Sequence, residues 1–165
     1  MLQCYNKNDS TTVCENVIIL QYSSVYLNGI YICLMQEPLS QVSSGIRISV
    51  LSRFEPGVSN PASESYVFSY HIFIQNDNEY AVKLTRRHWF IFDSCGIESE
   101  VEGAGVIGET PVIEPNTVYQ YSSGCSLRSP FGTMQGYYSM EVQGGIRTFR
   151  VQVPKFILQV PYLLN

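Results

Sequence analysis

The chain predicts an all-β fold: an antiparallel β-sandwich of the immunoglobulin-like or fibronectin type III-like kind. Three observations carry this expectation. Apolar and aromatic residues alternate with polar ones at period two from Gly45 onward. Turn residues interrupt that alternation every 8 to 14 positions. No stretch holds a convincing helical period for more than two turns. A closed barrel is the alternative, because the pattern does not count sheet edges.

In order, Ile46, Ile48 and Val50 alternate with Arg47 and Ser49 to give a first strand, which Glu55-Pro-Gly57 and Asn60-Pro61 end. Tyr66 to Ile74 alternates aromatic and aliphatic residues over more than eight positions, and Asn76-Asp-Asn-Glu79 leads into a second long strand, Tyr80 to Phe92. These two read as an antiparallel hairpin. Asp93-Ser-Cys-Gly96 turns the chain and Ile97 to Glu102 extends it. Pro111 and Pro115 bracket Val112-Ile-Glu114, and a strand begins at Thr117. Gly132 to Val142, Thr148 to Val153 and Phe156 to Val160 complete the set.

With 165 residues, 45% of them hydrophobic, there is material for one domain. A net charge of -4 provides no basic field for a phosphate backbone, so no nucleic acid is expected. Charged residues make up only 15%, which leaves uncharged surface for a partner. Five cysteines without a Cys-x-x-Cys pair argue against a zinc ribbon and for free thiols in a reducing compartment. Cys95 and Cys125 both fall at predicted turns, where a disulfide between them is geometrically allowed.

Residues 1–40 read differently, as an extension to a domain spanning 41–165. Asn16 to Gln36 carries no charge, but Gln21, Ser23, Ser24, Asn28 and Gly29 interrupt its apolar run. Three readings stand: a membrane anchor, a poorly ordered or loosely attached strand hairpin, or an extension ahead of a true start at Met35. Under the last, Gln36 to Ser44 is a polar lead-in.

Three constellations could carry function. Gly103-x-Gly105-x-x-Gly108 has the spacing of a phosphate-binding loop, but Pro111 and Pro115 leave no room for the helix such a loop needs. It reads more simply as a tight turn. Glu98, Glu100 and Glu102 share one strand face and, with Glu109 or Asp93, could offer oxygens to a divalent cation. The imidazoles available to such a metal are His71 and His88. Such a row is also an ordinary solvated strand face. Arg86, Arg87, His88 and Trp89 form an arginine and aromatic cluster of the kind that dominates protein interfaces. Period two puts Arg86 and His88 on one face and Arg87 and Trp89 on the other; the structural alternative is Trp89 buried beside Phe90, Ile91 and Phe92. Ser122, Ser123 and His88 supply a nucleophile and a base, yet no pattern places a carboxylate behind His88. No enzyme activity and no cofactor are expected.

Four blocks then resemble, in order, those of the ApaG family. They are Arg86 to Gly96, Val101 to Pro115, Tyr121 to Leu127 and Gly132 to Tyr138, within a match running from about Gly45 to about Leu164. Ala104 departs from a usual acidic residue and Asn116 from a common glycine. The resemblance implies a fibronectin-type sandwich in a bacterial cytoplasmic protein linked to cobalt resistance and magnesium homeostasis. Relatives inside larger eukaryotic proteins imply an interaction module. The expectation is therefore a non-catalytic domain with an unidentified protein partner, no membrane association and an open oligomeric state that includes a homodimer. The alternative is a small-ligand protein that holds a divalent cation or phosphate compound near Glu98 to Gly108.

Overall fold

The computed structural model describes residues 37–145 and 147–161 in full, and 22–27 and 30–35 as backbone strands. The chain divides into two compact units, Met1–Gln36 and Glu37–Asn165. The first contains an antiparallel hairpin of β1 (Tyr22–Leu27) and β2 (Ile30–Met35). Residues 1–21, on which the other readings of the extension also depend, lie outside the described residues. Among the described residues no helix is long and apolar enough to cross a membrane.

The second unit contains β3 (Leu39–Ser43), β4 (Ile46–Phe54), β5 (Tyr66–Asn76), β6 (Val82–Asp93), β7 (Ile97–Ala104), β8 (Val112–Ile113), β9 (Val118–Leu127), β10 (Phe131–Val142) and β11 (Thr148–Gln159). They form two antiparallel sheets. One runs β3-β4-β5-β9; the other runs β11-β10-β6-β7, with β8 also on β6. Alternation decides which side chains meet between them. Ile46, Ile48, Ile72 and Ile74 of the first sheet and Leu84, Met140, Val151 and Leu158 of the second are fully buried in one core. Burying each such side chain is worth about 1.5–3 kcal/mol.

The structure corrects four sequence expectations. β5 and β6 are not a hairpin: they lie in different sheets. The connection crosses because buried Asn76 donates from its amide nitrogen to Tyr80 O (2.9 Å) and Ile113 O (3.0 Å), so the turn is pinned by core contacts and not by a ladder. The polar lead-in contains a strand, since β3 pairs along β4 and Ser40 meets Ser49 hydroxyl to hydroxyl at 2.8 Å. The two C-terminal strands are one. Pro154 and Lys155 fall within the register shift between the Gly136–Val153 and Met134–Phe156 pairs, a bulge where the missing proline N–H costs nothing. Finally, Cys125 sits inside β9, not at a turn, and both it and Cys95 are free thiols.

The two long edges of the five-stranded sheet are treated differently. β11 is stitched to the facing sheet: Ser43 Oγ accepts from Gln152 N–H at 3.0 Å and Ser52 Oγ donates to Ile157 O at 2.9 Å. β7, at the other edge, is exposed at every position from Ile97 to Glu102.

Candidate functional site

The outer face of the five-stranded sheet gathers most of the candidate residues, and a bulge decides which. Arg86 pairs with Ser139 but Leu84 with Met140, so Thr85 is extra and the alternation resets there. Leu84 stays in the core while Arg86, His88, Phe90 and Phe92 point outward. Across from them, the β6–β7 register places Glu102 opposite His88, Glu100 opposite Phe90 and Glu98 opposite Phe92.

The contacts run diagonally, one pair over. Arg86 donates from Nε (3.0 Å) and Nη2 (2.8 Å) to Glu102 Oε1. That hydrogen bond and the guanidinium charge hold the Glu102 carboxyl below its ordinary range. His88 Nε2 bonds Glu100 Oε1, and His88 Nδ1 meets the Tyr137 hydroxyl at 3.0 Å. An ionised carboxylate only accepts, so Nε2 is the donor to Glu100, and Nδ1 is left to the Tyr137 hydroxyl, which can either donate or accept. The imidazole also stacks on Phe90 (4.7 Å) and Tyr137 (4.9 Å), while Arg150 lies 4.4 Å over the Tyr137 ring. Sequence reading found no carboxylate behind His88; the structure puts Glu100 there. The third diagonal has Phe90 where a cation would stand, and Glu98 forms no ion pair among the described residues.

Phe90 and Phe92 are 40% and 39% exposed. They line a shallow depression of about 530 Å³ with Glu98, Glu100, Thr133, Gln135 and Lys155. Sequence reading grouped both phenylalanines with Trp89, but they face away from it. Trp89 is 2% exposed, ringed by Tyr70, Tyr138 and Phe156, and so is no surface contact. Its indole N–H is buried without a hydrogen-bond partner among the described residues. Arg87 shares its side of the strand and is half-buried. Its guanidinium lies against Gly103, where a Cβ would sit 3.2 Å from Nη1, and donates to Ala104 O (3.2 Å) and Gly105 O (2.9 Å).

That arginine anchors the glycine loop. Val106 and Glu109 exchange backbone hydrogen bonds of 2.8 and 2.9 Å around Ile107 (φ 43°) and Gly108 (φ 83°), a two-residue turn with both central residues left-handed. A Cβ on Gly105 would come 1.8 Å from Glu109 O. Gly105 and Gly108 thus serve turn geometry, Gly103 leaves room for the Arg87 guanidinium, and β8 follows instead of a helix. Asn116 has φ 58°, a left-handed conformation that asparagine tolerates. Glu100 and Glu102 are already engaged, and no group of three or more metal-ligating side chains forms among the described residues.

The remaining polar candidates separate. Ser122 meets His71, not His88: His71 Nδ1 lies 2.6 Å from Ser122 Oγ, with Nε2 3.2 Å from Gln120 Oε1, on the other sheet. Asp93, which sequence reading placed near a metal, is buried at the end of β6. It accepts from Arg128 N–H at 2.6 Å, from Cys95 N–H at 3.3 Å and from the Ser129 hydroxyl. Burial pushes its carboxyl up, but these donors outweigh burial and bring it below the ordinary value. The thiol of Cys125 is pushed up to about 11 by burial, which makes it a poor nucleophile.

Comparison with known proteins agrees with this architecture. The ApaG domain family model matches residues 56–142. Protein ApaG of Shewanella loihica is 48% identical over 127 residues, covering 77% of this chain and 100% of that protein. Protein ApaG of Shewanella oneidensis is 46% identical over the same length and shares. Among solved structures, a structural genomics X-ray structure superposes with TM-score 0.69 at 46% identity, over 76% of this chain and 94% of that one. One from Bordetella pertussis gives TM-score 0.67 at 37% identity, over 70% and 94%. The chain belongs to the ApaG domain family.

Proposed function

We propose that this chain is a non-catalytic interaction module that docks a protein partner on the outer face of its five-stranded sheet. It works in the cytoplasm and bears on cobalt and magnesium homeostasis only through that partner. The observation that carries this reading is the pair Phe90 and Phe92, each about two-fifths exposed, which line one open depression with the Glu98 and Glu100 carboxylates. Aromatic residues, phenylalanine among them, are enriched at protein interfaces relative to the rest of the surface. Non-catalytic use is supported by what the histidines meet: His71 bonds the Ser122 hydroxyl with Gln120 and not a carboxylate on its other nitrogen, and His88, backed by Glu100, faces the Tyr137 phenol and not a serine or cysteine. The cation link is supported by the family resemblance.

The test is affinity capture of the tagged full chain from its own cells, in parallel with a Phe90→Ser, Phe92→Ser double variant. Quantitative mass spectrometry is expected to show one partner reduced at least about tenfold in the variant. Equal recovery from both would sink the reading.

A further inference from the structure

We propose that the free edge of β7 is a strand-pairing site for an extended segment of a partner protein in which basic residues alternate with aliphatic ones. This rests on the docking face argued above and names its occupant.

β7 hydrogen-bonds to β6 on one side, and among the described residues no strand lies along the other. Such an edge presents unpaired backbone N–H and C=O groups as a template for another chain. At its far end Arg87 takes the carbonyls of Ala104 and Gly105, so the open stretch runs from Ile97 to Gly103.

The two sides of that stretch differ in chemistry. Glu98, Glu100 and Glu102 occupy the outer side. On the inner side Ile97 (41% exposed) and Val101 (42%) are left uncovered by the facing sheet. Residues directly opposite on paired strands share a face, so an added strand sets its outer residues against carboxylates and its inner ones beside Ile97 and Val101. Period two then dictates the alternation. Glu98 is the strongest receptor, since Arg86 holds Glu102 and His88 holds Glu100 while Glu98 forms no ion pair among the described residues. It also borders the depression containing Phe90 and Phe92, over which the stem of a lysine or arginine can lie.

The same row selects against other occupants. A second copy pairing β7 to β7 would set glutamates against glutamates, and a neutral strand would leave Glu98 uncompensated. The acidic edge thus excludes promiscuous pairing while admitting a basic strand.

The test uses the full chain and a synthetic nine-residue peptide alternating lysine and valine. Controls are a peptide of the same composition with lysines and valines in two blocks, and an alternating peptide N-methylated at every second amide. Hydrogen exchange is expected to slow at the outward-facing amides between 97 and 103 with the alternating peptide alone. By fluorescence anisotropy both controls should bind at least about tenfold more weakly. Glu98→Lys with Glu100→Lys should weaken the lysine peptide about tenfold and confer binding of a glutamate–valine peptide.

Equal binding of the block peptide would reduce the effect to bulk charge attraction and overturn the proposal. Outward amides of β7 already protected in the free protein would overturn it too, because the edge would be filled by this chain or a second copy. A partner lost in the Phe90, Phe92 double variant but retained by the Glu98, Glu100 charge reversal would remove edge pairing and leave the docking face standing.

Discussion

The β11 and β7 edges belong to one sheet and share the same alternating design, yet only one of them is finished. β11 buries Val151, Val153, Phe156 and Leu158 beneath the facing sheet, and side chains from β3 and β4 cap its backbone. β7 buries almost nothing and meets solvent with three carboxylates. Strand sequence alone does not settle an edge's fate; what the opposite sheet covers does. The difference places the packing on the β11 side and, under the proposal above, recognition on the β7 side, the division expected when binding elements come from the weakly packed end of a structure.

The largest effect that tests this contrast is in the core under β11. Phe156→Ala removes a ring packed on both Tyr70 and Trp89 and is expected to cost about 3–5 kcal/mol, read as a fall in the urea midpoint. Val101→Ala on β7, half-exposed, is expected to cost under about 1 kcal/mol by the same measurement. Similar losses at the two sites would erase the comparison.

Asp93 comes next, because it ties the start of the β6–β7 turn to the segment entering β10. Asp93→Asn leaves its donors poorly matched and is expected to cost about 1–3 kcal/mol at neutral pH. The sign of its pH dependence follows from the lowered native pKa. The carboxylate's stabilisation is complete above the ordinary value of 3.8 and is lost as pH falls through the lower native value. Wild type and variant should therefore converge in acid, and urea titrations from pH 7 down to pH 2 check it. A gap that stayed constant would assign the loss to packing.

Sequence reading reached the sandwich because period two survives whatever the topology, and the ApaG blocks placed it in a family. It misassigned the β5–β6 connection because Asn76-Asp-Asn-Glu79 has the same local turn chemistry whether it joins neighbours in a sheet or crosses between sheets. Only the burial of Asn76 distinguishes the two. The Thr85 bulge was equally hidden, since an extra residue leaves no compositional mark. Of the site, the faces of Arg86 to Trp89 were legible. The His88–Glu100 bond was not, because it depends on register and on the diagonal lean of side chains between paired strands. The Asp93 to Gly96 turn pairs Asp93 with Ile97 and so carried that signal: counting back from it sets Phe90 opposite Glu100, diagonal to His88.

Smaller still are the stitches at the closed edge. Ser43→Ala and Ser52→Ala each delete one exposed hydrogen bond and are expected to cost about 0.5 kcal/mol apiece. Hydrogen exchange should localise the loosening to Gln152 and its β11 neighbours. Uniformly faster exchange across the core would mean the seam holds the whole sandwich and not its edge.

The smallest effect on stability sharpens the comparison most. Glu98 has no ion-pair partner among the described residues to lose, so Glu98→Lys should leave the urea midpoint within error of wild type. Glu100→Gln, by contrast, weakens the acceptor that orients His88 and should disturb the Tyr137 ring environment, seen as shifted aromatic proton resonances. If Glu98 is there to receive a basic side chain, its reversal alone should weaken the alternating peptide while Glu100→Gln weakens it less. The opposite ranking would make the His88 cluster the recognition element and Glu98 a solvated edge charge.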